Sequence, residues 1–323
     1  MTPKRRTTLW TTATLIAIAL VGGGITAAVL ADGSGERSAA EQIPLGELGG
    51  DTRLGPVELR AGDLDALIGF YGPLGVGLDV LEQTEEAVSL GRDGVELVRL
   101  AAAEGAPASP RDAGLFHTAI RFDDAPALAR SLASVAGRYP MLYGGSADHA
   151  VSLAFYFDDP EGNGVELYVD TPRDEWEWQG GEVQMGSEPL DIRAFVDEHL
   201  GGASAGGASV GHVHLRVGDL ERAEAFYADA LGFAVTARVD GAIFLGAGGY
   251  HHHLAANTWG SAGAGARPAG LGLGSLQVVL ESAAELDAVE ARLADAGVAS
   301  TRTADALVTA DPWGTEVVLR AEG

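Results

Sequence analysis

The chain has 323 residues, 46% of them hydrophobic, which suits two packed domains. It contains no cysteine, which excludes disulfides, thiolate metal sites and cysteine nucleophiles and leaves only nitrogen and oxygen donors for any metal. Acidic residues outnumber basic ones by 46 to 21 and the formal net charge is −25, so nucleic acid is a poor partner and a solvated acidic surface is expected.

The first element is a charge-free run. "KRRTTLW" leads into residues Leu9 to Ala31, which carry no charged side chain, and that length suffices for one N-terminal hydrophobic helix across a bilayer. Basic residues before it and acidic, Gly/Ser-rich sequence after it orient the bulk of the chain outside the cytoplasmic membrane. "AVLA" before Asp32 resembles a cleavage site, so an anchor formed by residues 9–31 and a signal released near Ala31 both stay open. Arg5 and Arg6 followed by Leu9 resemble a twin-arginine signal. Residues 1–50 are read as signal or anchor plus linker.

From Asp51 the sequence repeats. "VELRAGDLDALIGFYGPLG" from Val57 and "VHLRVGDLERAEAFYADALG" from Val213 share V-x-L-R-x-G-D-L followed by F-Y, the mark of a duplicated unit. In the second copy Val213, Leu215 and Val217 alternate as in a strand, and Ala225, Phe226 and Leu231 form the apolar face of a helix. The runs "AVTARV", "AIFLGAG" and "HHHLAAN" complete a βαβββ order. Between the copies, "LFHTAIRF", "APALARSLASVAG", "VSLAFYFDD" and "GVELYVD" give a second module. "LGSLQVVL", "AAELDAVEARLADAG" and "DPWGTEVVLR" give a fourth. The expected fold is therefore α+β, four βαβββ modules over residues 53–322. A polar, Trp-containing linker at 171–207 separates a first domain, 51–170, from a second, 208–323.

The histidines are unevenly spread. There are eight, three of them consecutive at His251, His252 and His253 in the last strand of the third module. Strand alternation sends His251 and His253 to one face and His252 to the other, so the triplet cannot give three ligands to one ion without a bulge. His212 and His214, two residues apart, share a face.

Four such modules, with "GHVHLRVGDLERAEAFY", "DHAVSLAFYFDDPEGNGVELY" and "AGGYHHHLAANTW", resemble the vicinal-oxygen-chelate superfamily and, within it, the two-domain branch of catechol 2,3-dioxygenase-like ring-cleaving enzymes. The resemblance covers all but the first fifty residues. It implies two tandem vicinal-oxygen-chelate domains whose cups draw ligands from first and last module strands. At those positions stand His117 and Glu166 in module two and His212 in module three, whereas module one offers Pro56 and Glu96 and module four Ser275, with Val318 at the glutamate position. His117, His212 and Glu166 would make a two-histidine, one-carboxylate set for a divalent metal, Fe(II) or Mn(II), provided modules two and three share a cup. His149 and Tyr156 resemble the histidine and tyrosine that serve the substrate's protons. His214, His251, His252 and His253 are candidates to line the substrate or support the ligands.

The expectation is a ring-cleaving dioxygenase acting on a small catechol-type aromatic with O2, touching the membrane through its N-terminal helix; homo-oligomerisation stays open. A glyoxalase-like lyase or isomerase with Zn or Ni and four ligands, and a non-catalytic binder of the bleomycin-resistance type, are the alternatives.

Overall fold

The computed structural model describes residues 43–204 and 206–322 and is α+β, with many strands and few helices. Module one comprises β1 (Arg53–Ala61), α1 (Leu64–Tyr71), β2 (Asp79–Gln83), β3 (Ala87–Arg92) and β4 (Val95–Ala102). Module two comprises β5 (Gly114–Phe122), α2 (Ala125–Arg138), β6 (Tyr143–Asp148), β7 (Ser152–Asp158) and β8 (Gly164–Asp170). The stretch after it holds a hairpin of β9 (Trp178–Gln179) and β10 (Glu182–Val183), a short β11 (Glu188–Pro189) and α3 (Ile192–His199). Module three comprises β12 (Ala208–Arg216), α4 (Leu220–Glu224) continuing as a π-helical turn at Ala225–Ala230, β13 (Ala234–Val239), β14 (Ala242–Gly246) and β15 (Leu254–Asn257). Module four comprises β16 (Gly272–Leu280), α5 (Ala283–Asp295), β17 (Ser300–Arg302), β18 (Leu307–Ala310) and β19 (Glu316–Ala321).

The repeated G-D-L and F-Y have separate structural jobs. Asp63 and Asp219 cap their helices, accepting from the backbone N–H of Ala66 at 2.9 Å and of Arg222 at 2.8 Å, and so satisfy donors that a helix start leaves unpaired. Asp124 and Ser282 do the same in modules two and four. The tyrosine of F-Y then reaches the following module. Tyr71 donates to Asp159 Oδ2 and Tyr227 to Asp311 Oδ2, both at 3.0 Å. Each aspartate opens a D-P turn, its Oδ1 accepting from two backbone N–H groups: Glu161 and Asn163 in one turn, Trp313 and Thr315 in the other.

Two sheets result. One, in the order β17-β18-β19-β16-β1-β4-β3-β2, joins modules four and one; the other, β11-β6-β7-β8-β5-β12-β15-β14-β13, joins two and three. In each, the two first strands run antiparallel at the centre and each is flanked by its own module's last strand in parallel. The stretch at 171–207 thus lies, in sequence, between two modules that share a sheet. Its length lets β12 return beside β5, whereas the shorter connection from β4 to β5 passes to the other sheet. The Tyr71 and Tyr227 bonds consequently tie one sheet to the other.

The stretch is also packed. Trp176 and Val183 are buried with Val151, Ala237 and Tyr250, and Trp178, Met185 and Phe244 pack against them. The charge-free run Leu9–Ala31 lies outside the described residues. Among those described, no helix is long and apolar enough to cross a membrane.

Candidate metal centre

Strand register decides which side chains meet. In the β5–β12 pair His212 faces Ala119 and His214 faces His117; in the β5–β8 pair Ala119 faces Glu166. Glu166, Ala119 and His212 therefore form one row across three strands, with His117 two residues along the same face. Ala119 is fully buried and too small to fill the row, so the three polar side chains converge above it. Ala119, Ala154 and Tyr168, with Tyr156 packed against them, supply the floor.

Two bulges flank the row. Between the pairs His214/His117 and Leu215/Leu115, β5 carries one extra residue, Phe116, and between Val210/Ile120 and His212/Ala119, β12 carries Gly211. A bulge re-aims side chains beside a site. The Phe116 ring stands 5.3 Å from that of His117, 4.8 Å from His214 and 5.8 Å from Trp259. Glycine is needed at 211 because a Cβ there would strike the Tyr168 hydroxyl.

The donor atoms form a near-equilateral triangle. His117 Nε2 lies 3.0 Å from Glu166 Oε2, His212 Nε2 lies 3.1 Å from the same oxygen, and the two nitrogens are 3.3 Å apart. Three donors bound to one ion at about 2.1 Å and at right angles stand about 3.0 Å from one another, so the triangle has the dimensions of one face of an octahedral site. All three residues are buried, at 6%, 2% and 2% exposure for His117, Glu166 and His212. Burial alone would raise the Glu166 carboxyl, but His212 and His117, through their hydrogen bonds and through whatever positive charge they carry, outweigh it and hold the group well below the usual range, as an anion. Burial lowers His117, which favours the neutral imidazole that a metal requires. The donor set fits a divalent ion.

Tyr156 and His149 stand beside this triangle. Tyr156 is paired with Glu166 across β7 and β8, and its ring is 5.7 Å from that of His117. Burial first, then the Glu166 charge, raises its phenol well above the ordinary value, so it stays protonated. His149 occupies the tight turn between β6 and β7, where Ala150 takes the left-handed conformation at φ 67°. His149 Nδ1 is 2.7 Å from the carbonyl of Gly186, which can only accept; Nε2 therefore carries the lone pair and accepts from the Tyr156 hydroxyl at 2.7 Å.

The remaining histidines are divided. His214 faces His117, but its Nε2, 2.9 Å from Asn257 Nδ2, accepts from that amide, and burial holds the imidazole neutral. The triplet departs from the expected alternation. Residues 251–253 precede β15 because Gly248 and Gly249, at φ 58° and 72°, turn the chain after β14. His251 and His252 are consequently in mutual contact, Nδ1 to Nδ1 at 2.7 Å, and the His252 ring lies 4.2 Å from that of His212. His253 turns elsewhere, packing on Tyr250 and Phe233 with its Nδ1 accepting from the Ala247 N–H.

The sheet of modules one and four builds a different face. Glu96 accepts from Ser89, and Arg99 lies 3.6 Å from Glu58 and 3.9 Å from Glu96. Ser275 is paired with Glu316, which leaves Val318 at the position that Glu166 fills in module two. Among the described residues the His117–Glu166–His212 group brings three such donors within 4.8 Å of one another.

Comparison with known proteins gives this arrangement its relatives. The family model of the Glyoxalase/Bleomycin resistance protein/Dioxygenase superfamily matches residues 209–318. A Bacillus subtilis (strain 168) protein named Catechol-2,3-dioxygenase is 35% identical over 272 residues, which is 81% of this chain and 94% of the relative. The chain belongs to the Glyoxalase/Bleomycin resistance protein/Dioxygenase superfamily. Superfamily structures share its fold: glyoxalase I from Zea mays superposes with a TM-score of 0.52 at 22% identity, covering 84% of this chain and 92% of that one. A candidate dioxygenase from Bacillus subtilis subsp. subtilis str. 168 superposes with a TM-score of 0.56 at 12% identity, covering 83% and 84%. Phe116, Asn257 and Asp170 are site-side residues that sequence reasoning missed; "LAANTW" and the end of "GVELYVD" carried the signal for the last two.

Proposed function

We propose that the chain is a divalent-metal-dependent dioxygenase that opens a catechol-type ring, with His117, Glu166 and His212 holding the ion. The triangle of three nitrogen and oxygen donors carries this reading, and the Catechol-2,3-dioxygenase relative supports it. When bound there, Fe(II), or Mn(II) in its place, supplies Lewis acidity and open positions for a diol and O2.

The protein's own part is binding and proton handling. Glu166 is the anion of the donor set and supplies its attraction for a dication. His149 Nε2 holds the lone pair that can take a proton from the diol, directly or through Tyr156. The Tyr156 hydroxyl, which donates to His149 Nε2, can accept from a diol O–H brought beside it and so pass a proton on to His149. Phe116, Phe244 and Trp259 offer ring faces to an aromatic substrate. A glyoxalase-like centre usually takes a fourth protein donor, and three are brought together here.

The test is O2 uptake with catechols by protein loaded with Fe(II) without air. One O2 should be consumed per ring opened, and His149→Phe should keep the metal while lowering kcat roughly 100-fold or more. Metal-loaded protein that binds catechol without consuming O2 is instead a binding protein. From the charge-free run at residues 9–31 and the basic residues before it, we also propose that the catalytic portion lies outside the cytoplasmic membrane. A reporter active only in the cytoplasm, fused after Gly50, should stay silent, and a bright signal contradicts export.

A further inference from the structure

We infer that Asp170 is a positioning residue for His212, acting through His251 and His252; this rests on the metal centre proposed above. A metal-binding imidazole is ordinarily held by a hydrogen bond on its other nitrogen. His212 lacks one, since its Nδ1 is buried with no hydrogen-bond partner among the described residues. Packing must set the ring's rotation instead. Beside the fellow ligand His117 at 5.3 Å, the rings nearest to it are Tyr168 at 5.1 Å and His252 at 4.2 Å.

The His252 ring is itself fixed. The Asp170 carboxylate accepts from His251 Nε2 at 3.0 Å. His251 Nδ1 and His252 Nδ1, 2.7 Å apart, share one proton, which links the two rings whichever of them carries it. The hydrogen bonds run without a break from Asp170 through His251 to His252. Asp170 is anchored in turn by Tyr250 at 3.2 Å and Arg121 at 3.3 Å, and Trp176 lies against His251 with ring centres 5.0 Å apart. Two histidines of the triplet thus form a strut from a half-buried carboxylate on β8 to a ligand on β12.

Mn(II) affinity and the electron paramagnetic resonance spectrum of bound Mn(II) test this in the full chain. His251→Phe keeps a ring against Trp176 but removes both links. It should weaken Mn(II) binding roughly 10- to 100-fold and change the spectrum, because the ligand is no longer held. Asp170→Asn, a nearly isosteric change that removes the carboxylate charge holding His251 Nε2, should weaken binding too. His253→Phe, in the same triplet and also buried, should lower the thermal midpoint while leaving affinity and spectrum unchanged. The inference is overturned if His251→Phe and Asp170→Asn both bind within twofold of the parent with its spectrum, or if His253→Phe weakens binding as much as His251→Phe. A parent chain that binds no Mn(II) refutes the metal centre itself, a result distinct from these.

Discussion

Gly164→Ala should damage the centre without touching a donor atom. Gly164 opens β8 and pairs with His117 across β5. A Cβ there would run into the carbonyl oxygen of Phe116, the bulged residue, and lie 3.0 Å from His117 Cβ. Neither obstacle is the end of a flexible side chain, so β5 and β8 must part where His117 is held. Overpacking of this kind costs about 1–3 kcal/mol. A displacement on the order of 1 Å costs a positioned catalytic group roughly 100-fold. His117 Nε2 has no slack for it, at 3.0 Å from Glu166 Oε2. Urea unfolding of the metal-free protein gives the stability, and Mn(II) titration with steady-state O2 uptake gives the function. Stability within about 0.5 kcal/mol of the parent, together with unchanged Mn(II) affinity, would refute the claim that the glycine of "GNG" is there to admit the bulge.

Tyr71→Phe and Tyr227→Phe should each cost about 1.5–3 kcal/mol in urea unfolding, because each removes a buried hydrogen bond to a carboxylate. The costs should add within about 0.5 kcal/mol, and marked coupling would contradict independent ties. Acid should destabilise the metal-free protein well before its carboxylates protonate. Burial, then the nearby charges of His251 and Arg173, hold His253 down at about 3, so below about 6.5 the unfolded chain takes up a proton that the folded one refuses. Stability from this group is whole above about 6.5 and falls as pH drops toward 3, a loss of about 1.4 kcal/mol by pH 5.5. His214 and His252 are lowered in the same sense and add to it. A urea midpoint that does not fall between pH 7.5 and 5.5 contradicts neutral buried histidines.

The modules were legible because their signals are local. The repeated aspartate caps a helix and the alternating strands bury one face, so four βαβββ units could be read from spacing alone. His117, Glu166 and His212 could be placed on first and last strands for the same reason. Whether they meet could not be read. It depends on β5 choosing β12 rather than β1 as its antiparallel partner, a long-range pairing that no local pattern encodes. Phe116 was hidden by its bulge, which breaks the two-residue period on which strand reading rests. The triplet was misread by the same assumption: "AGGY" looked like the approach to a strand, but its left-handed glycines end one strand and delay the next until Leu254.

The most direct measurement is metal stoichiometry and affinity for the parent and for Glu166→Gln, purified without chelators and titrated with Fe(II) and Mn(II). Glutamine keeps the size of the side chain and removes the only anion from the donor triangle. The account predicts one ion per parent chain and its loss from Glu166→Gln, with folding retained by circular dichroism. A parent that takes up no divalent metal, or a Glu166→Gln protein that holds one ion with the parent's affinity, contradicts it.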